Sequence, residues 1–149
     1  MNILVSACLL GVKCRYDGAS KPNDAVLALK ERYTLIPVCG EVFGGLPTPR
    51  NPSERVGDRV MSICGDDVTE QYSRGAQEVL NLARLYGCKA AILKERSPSC
   101  GSGKIYDGTF LGTLTAGYGV TAELLQRFGI RIYGESEIEK FISDTEEEK

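Results

Sequence analysis

Hydrophobic residues follow two alternating patterns along the chain. Short apolar runs without polar interruption alternate with longer stretches in which apolar residues recur every three or four positions. Ile3 to Ala7 is a continuous small-apolar run ending at Cys8, as expected of a strand buried on both faces. From Asn23 to Arg32 the pattern becomes helical: Pro22 precedes, Asn23 can cap, and Val26 and Leu29 share a face. Tyr33 to Val38 is again strand-like and runs into Cys39. Residues 40–59 are rich in Gly, Pro and Arg and read as a long ordered loop, with a short extra strand from Arg59 to Ile63.

The clearest helix opens at Asp67-Val68-Thr69-Glu70, where Asp67 can cap and Glu70 stands three residues on, as in a capping box. Its apolar stripe is Val68, Tyr72, Ala76, Val79, Ala83 and Tyr86, and Gly87 stops it. Ala90 to Leu93 is a third core strand, followed by a polar turn from Lys94 to Cys100. A Gly/Thr-rich stretch leads to a helix near Thr121 to Phe128, a fourth strand from Ile130 to Tyr133, and a last helix opening at Ser136-Glu137-Ile138-Glu139.

Strand–helix alternation of this kind predicts an α/β fold: one domain, a mostly parallel sheet with helices on both faces, Rossmann-like. The domain is expected over residues 1–143, with 144–149 a disordered acidic tail. Sheets of this class place ligands just beyond the carboxyl ends of their strands. Cys8 ends the first strand, Cys39 ends the second and Cys100 lies in the turn after the third, so all three should meet at one rim.

Length and composition narrow the chemistry. The 149 residues suit one core, and 42% hydrophobic with 26% charged residues is ordinary globular composition. No run approaches the roughly 20 apolar residues of a membrane span. Val5-Ser6-Ala7-Cys8 resembles a lipoprotein cleavage site, but lacks a basic segment and a sufficient apolar stretch before it. A cytoplasmic protein with reduced thiols is expected. The formal net charge of −2 does not favour a nucleic-acid partner such as tRNA, although a local basic patch is compatible with it. The chain has no histidine, which removes Ser-His-Asp and Cys-His catalysis and imidazole-ligated zinc. Acid–base work falls to carboxylates, Lys, Tyr, Cys or water.

Three convergent thiolates without imidazole suit a soft metal. An iron–sulfur cluster on three cysteines, with one iron open to substrate, fits better than structural zinc, which usually takes four protein ligands. The competing reading is three buried thiols acting as small apolar residues. Cys14, Cys64 and Cys88 are expected to be unligated, Cys14 being a short loop from Cys8.

The residues also carry a family resemblance. Ser6-Ala7-Cys8-Leu9-Leu10-Gly11, Arg15-Tyr16-Asp17-Gly18, Pro37-Val38-Cys39-Gly40-Glu41 and Gly44-Gly45-Leu46-Pro47-Thr48-Pro49-Arg50 resemble the bacterial thiouracil desulfurase family. So do Gly65-Asp66-Asp67-Val68-Thr69, Ile92-Leu93-Lys94, Ser97-Pro98-Ser99-Cys100-Gly101, Ile105-Tyr106-Asp107-Gly108-Thr109-Phe110 and Gly119-Val120-Thr121-Ala122. One departure is Gly40, where the family commonly has proline; it loosens the turn that aims Glu41.

The resemblance implies a [4Fe–4S] cluster on Cys8, Cys39 and Cys100, and non-redox removal of sulfur from a small thiolated pyrimidine. A thiocarbonyl sulfur is soft and would bind the open iron, which polarises the C–S bond while water adds to that carbon. Glu41, two residues beyond a ligand, would activate the water or shuttle protons. Ser97 resembles the family's active-site serine, with Ser99 as the neighbouring hydroxyl that could touch substrate instead. Arg50 is a candidate for an anionic part of the substrate, although Arg50, Arg55 and Arg59 could instead pair with Glu54 and Asp58. Asp17 is the next candidate carboxylate. Gly101-Ser102-Gly103-Lys104 is not a phosphate loop, because Pro98 stands where the first glycine is needed and Ile105 where Ser or Thr must hold magnesium. An iron–sulfur electron carrier or a zinc-stabilised binding module are the readings from other classes, the latter wanting Cys14 as a fourth ligand.

Overall fold

The uninterrupted apolar runs become central strands because both of their faces are covered. The computed structural model describes residues 1–147. In chain order the elements are β1 (Asn2–Ser6), α1 (Asp24–Ala28), β2 (Thr34–Val38), α2 (Gly40–Phe43), β3 (Ser53–Val56), β4 (Arg59–Ser62) and α3 (Thr69–Leu85). They continue with β5 (Ala90–Leu93), β6 (Lys104–Tyr106), β7 (Leu114–Ala116), α4 (Val120–Arg127), β8 (Arg131–Gly134) and α5 (Ile138–Glu147). Four of the strands form one parallel sheet in the order β2-β1-β5-β8.

Period-two alternation divides the core. Ile3, Val5, Ala90 and Ile92 face α1 and α5, where Val26, Leu29 and Phe141 cover them. Leu4, Ala91 and Leu93 face the other way, against Val79, Leu80 and Ala83 of α3 and Ala122 and Leu125 of α4. The α/β expectation with helices on both faces therefore holds. Pro37 sits opposite Val5 in β2, an edge strand, where a missing N–H is tolerated. Among the described residues no helix is long and apolar enough to cross a membrane.

Several local expectations change. The stretch 40–59 is not one loop: it holds α2 and the first strand of the β3–β4 hairpin, while β6 and β7 form a second antiparallel pair. The first hairpin turns on Gly57-Asp58 with Gly57 at φ 60°, the backbone that a two-residue turn with glycine first requires. At the start of α3 no capping box forms. Asp67 Oδ1 accepts from Thr69 N at 3.0 Å, Thr69 Oγ1 accepts from Val60 N at 2.9 Å, and Glu70 pairs with Arg74 at 3.2 Å. The hairpin thus takes up the threonine hydroxyl, and the glutamate finds a partner one turn on. Tyr86 at the end of the predicted stripe is exposed, while Leu80 is buried in its stead.

The expected frayed tail from Asp144 is also corrected, because α5 runs through Glu147. Its last turns are anchored: Tyr133 donates its hydroxyl hydrogen to Asp144 at 2.6 Å, Arg32 pairs with Glu146 at 3.1 Å, and Thr145 is buried. Residues 148 and 149 of that expected tail lie outside the described residues.

One close approach positions everything downstream of β2. The short α2 lies directly on α3, because a Cβ at Gly75 would overlap the Gly40 carbonyl and one at Gly44 would overlap the Gln71 carbonyl. Both obstacles are backbone, which cannot rotate away as a side chain can. Gly75→Ala should therefore force α2 off α3 and lower unfolding free energy by about 3 kcal/mol, the upper end for overpacking. Urea unfolding measures this; a loss below about 1 kcal/mol would mean that the two helices separate cheaply.

Candidate active site

A cavity of about 500 Å³ opens at the carboxyl rim of the sheet. Counted among the four parallel strands the order is 2-1-3-4, so the chain reverses direction of winding between β1 and β5. Crevices form at such a switch point because the connections leave it to opposite sides. Ser6 at the end of β1 accepts a hydrogen bond from Lys94 N just beyond β5, at 2.8 Å, which fixes the two strand ends together.

Each predicted cysteine reaches this cavity by a separate route. Cys8 lies in a single 3₁₀ turn, Ala7–Leu10, closed by Gly11 at φ 97°, and its carbonyl accepts from Lys21 N at 2.9 Å. Cys39 caps α2 in extended conformation, one residue after β2. Cys100 is held by Ser97, whose Oγ accepts from Ser99 N at 3.1 Å and from Cys100 N at 3.0 Å. Cys8, Cys39 and Cys100 all line the cavity, and so does Cys14.

Cys14 follows no strand, so the position of the strand ends does not bring it to the rim. Its backbone is brought in by Arg50, which donates from Nη2 to the Cys14 carbonyl at 2.8 Å, and the Cys39 thiol points at the same carbonyl at 3.9 Å. The short distance in sequence from Cys8 was the available signal. Cys64 is exposed, and Cys88 is buried at the amino end of β5, away from the cavity rim.

Cys39, Cys100 and Cys14 are held as protonated thiols. A hydrogen bond from Cys14 and burial push Cys39 far above the usual thiol range. Burial pushes Cys100 up to about 12. In Cys14 the bond to Cys39 favours the thiolate, but the bond to Cys8 and burial outweigh it and the net shift is upward. Binding a metal there must displace protons, and the thiolates gain the charge compensation that they now lack.

Among the described residues no group of three or more His, Cys, Asp or Glu side chains is gathered tightly enough for a single metal ion. The thiols instead stand around a cavity. Soft donors spread over a wall, with no imidazole or paired carboxylate among them, fit a multi-iron cluster better than one zinc ion.

Glu41 and Ser97 line the same cavity. Glu41, in the first turn of α2, has its Oε1 bonded by Arg50 Nε at 3.0 Å and by the Tyr72 hydroxyl at 2.8 Å. Ser97 accepts two backbone N–H groups, so its oxygen is occupied and its own proton is free to donate. Glu54 of β3 also lines the cavity, where its Oε1 accepts from Gly108 N at 2.9 Å and Phe110 N at 3.1 Å. It holds the β6–β7 loop over the site. Sequence reasoning missed both Tyr72, hidden in an apolar stripe, and Glu54, hidden in an unrecognised hairpin.

The other candidates fall elsewhere. Ser99 is buried behind the wall, sharing a 2.8 Å hydrogen bond with Thr121 Oγ1. Asp17 closes its own exposed turn through Ala19 N at 3.0 Å and pairs with Arg15 at 3.5 Å. Neither lines the cavity. Arg50 does line it, but its guanidinium is taken by Glu41, Cys14, Pro47 and Thr48. Arg55 pairs with Glu123 at 2.8 Å and Arg59 with Asp67 at 3.5 Å, outside the site and not with Glu54 or Asp58. Gly40 is explained by space: a Cβ there would stand 2.6 Å from both Ser99 Oγ and Thr121 Oγ1, disturbing their buried bond.

The chain is also similar to known proteins over nearly its whole length. A family model described as 2-thiouracil desulfurase matches residues 3–137. The chain is 42% identical over 146 residues to a Bacillus subtilis (strain 168) protein designated uncharacterized protein YbbK, covering 91% of this chain and 97% of that one. It is also similar to the solved structure of the [4Fe-4S]-dependent thiouracil desulfidase TudS, with a TM-score of 0.90, 46% identity and 97% of each chain covered.

Proposed function

Since the chain belongs to the 2-thiouracil desulfurase family, we propose that it removes sulfur from a small thiolated pyrimidine such as 2-thiouracil, giving the oxo base and sulfide. The observation that carries this reading is one cavity lined by Cys8, Cys39, Cys100, Glu41 and Ser97 together. Cys8, Cys39 and Cys100 would hold a [4Fe–4S] cluster, leaving one iron without a protein ligand. When bound, the cluster supplies a Lewis acid for the soft thiocarbonyl sulfur. The net reaction, thiocarbonyl plus water to carbonyl plus hydrogen sulfide, leaves every oxidation state unchanged. No electron donor is needed.

The chain's own groups divide the remaining work. Glu41 takes a proton from the attacking water through the carboxylate oxygen that Arg50 and Tyr72 leave free. Ser97 donates its hydroxyl hydrogen to the pyrimidine, since its lone pairs already serve the turn that holds Cys100. A cavity of about 500 Å³ suits a small heterocycle within the usual range for ligand sites. A carboxylate and a hydroxyl facing the thiols favour an enzyme over an electron carrier, which needs neither.

Anaerobic cluster reconstitution followed by incubation with 2-thiouracil tests the proposal. Sulfide and uracil should appear in equal amounts from the iron-loaded protein and from no cluster-free sample. A fully loaded cluster with no sulfide release would leave a metalloprotein of another kind.

A further inference from the structure

The hydrogen bonds around Glu41 point to Tyr72 as a positioning residue for the reaction. We propose that its phenol, with Arg50, locks Glu41 Oε1 and so dictates that Oε2 serves the attacking water; this rests on the role given to Glu41 above.

Glu41 needs such a lock. It stands on a helix of four residues, Gly40–Phe43, flanked by Gly40 and Gly44. Neither glycine offers a side chain to pack against the carboxylate stem, and three side-chain torsions separate the carboxylate from the backbone. Two donors converge on one oxygen: the Tyr72 hydroxyl at 2.8 Å and Arg50 Nε at 3.0 Å. Among the described residues no hydrogen bond to Oε2 is found. A carboxylate bonded twice through one oxygen cannot turn without breaking a charge-assisted bond, so its other oxygen keeps a fixed aim.

The tyrosine is itself immobile. It is 1% exposed on α3, one turn before Gly75, at the glycine contact that presses α2 onto α3. The same close approach that seats Glu41's helix therefore also sets the reach of the phenol. A buried hydroxyl costs stability unless it is bonded, and a phenylalanine would fill the same apolar stripe without that cost. Burial, then the neighbouring Glu41 charge, hold the phenol far above the ordinary tyrosine range, so it remains a donor. Ser53, on the hairpin that walls the cavity, pulls the phenol the other way but does not outweigh them. Arg50 has a second duty on the Cys14 carbonyl, which leaves Tyr72 as the cleaner group to vary.

The test is Tyr72→Phe in the iron-loaded protein, alone and combined with Glu41→Gln. The single variant should keep its iron content, visible absorption and thermal midpoint within a few degrees. Its KM should stay within about twofold while kcat falls about 10- to 10²-fold, since misplacement of a reacting group by about 1 Å can cost 10²-fold. In the Glu41→Gln background the same substitution should remove nothing further, because the group it positions is gone. A crystal structure of Tyr72→Phe should show the Glu41 carboxylate displaced or in more than one rotamer. Unchanged kcat would overturn the proposal, as would an equal loss in both backgrounds, or a loss accompanied by missing iron or an unfolded chain. Full turnover by Glu41→Gln alone would instead overturn the role of Glu41, a result distinct from a silent Tyr72→Phe.

Discussion

Cys8→Ser, Cys39→Ser and Cys100→Ser are each expected to abolish the iron-dependent visible absorption of the reconstituted protein while far-ultraviolet dichroism stays native. A serine hydroxyl fills nearly the same space but supplies neither the negative charge nor the softness of a thiolate. The three positions lie after three different strands, in a 3₁₀ turn, a helix cap and a serine-held turn. Loss at one of them leaves the geometry of the other two intact. Cys88→Ser and Cys64→Ser should keep the absorption, since neither side chain lines the cavity. Cys14→Ser is the informative control. It lines the cavity, its carbonyl faces the Cys39 thiol at 3.9 Å, and its replacement separates a site of three thiolates from one of four. Retained absorption is expected. Loss at Cys14 equal to the loss at Cys8 would make Cys14 a ligand and remove the open iron on which the proposed reaction depends.

Glu41→Gln should keep the cluster and lower turnover by about 10²–10⁴, the range for a group that moves a proton in the rate-limiting step. Glutamine preserves the shape and an oxygen that can still accept from Tyr72 and Arg50, so the structural bonds survive in part. What is lost is the ability to hold a proton. Iron content and sulfide release, measured on the same preparation, check this. Normal turnover with full iron would take the base away from Glu41, and Asp17 could not replace it, because that carboxylate lies in an exposed turn outside the cavity. Gly40 leaves the turn before Glu41 without the rigidity that a proline would give it. The turn is instead held by the packing of Gly40 against Gly75, and the carboxylate is oriented at its far end by Tyr72 and Arg50.

The succession of the four parallel strands and the helices that cover them, the two-faced sheet and the convergence of Cys8, Cys39 and Cys100 on one rim all follow from the sequence alone. Those features depend on periodicity and on chain direction, both of which are local: Ile3 and Val5 alternate with Leu4, and a parallel strand must end at the same rim as its neighbours. The membership of the cavity was decided by tertiary contacts. Cys14 reaches the site because Arg50, thirty-six residues further on, binds its carbonyl. Ser99 and Asp17 fall outside because Thr121 and Ala19 bind them first. The β3 strand and the role of Glu54 escaped detection because a four-residue strand carries too few positions to show a period. Tyr72 obeyed the apolar period of its helix, and the period is silent about a hydroxyl at the end of a ring. Only the close packing of α2 on α3, which two glycines permit, brings that hydroxyl to Glu41. A sequence pattern reports which face of an element is buried; which polar atom meets which across two elements depends on distances that the packing alone sets.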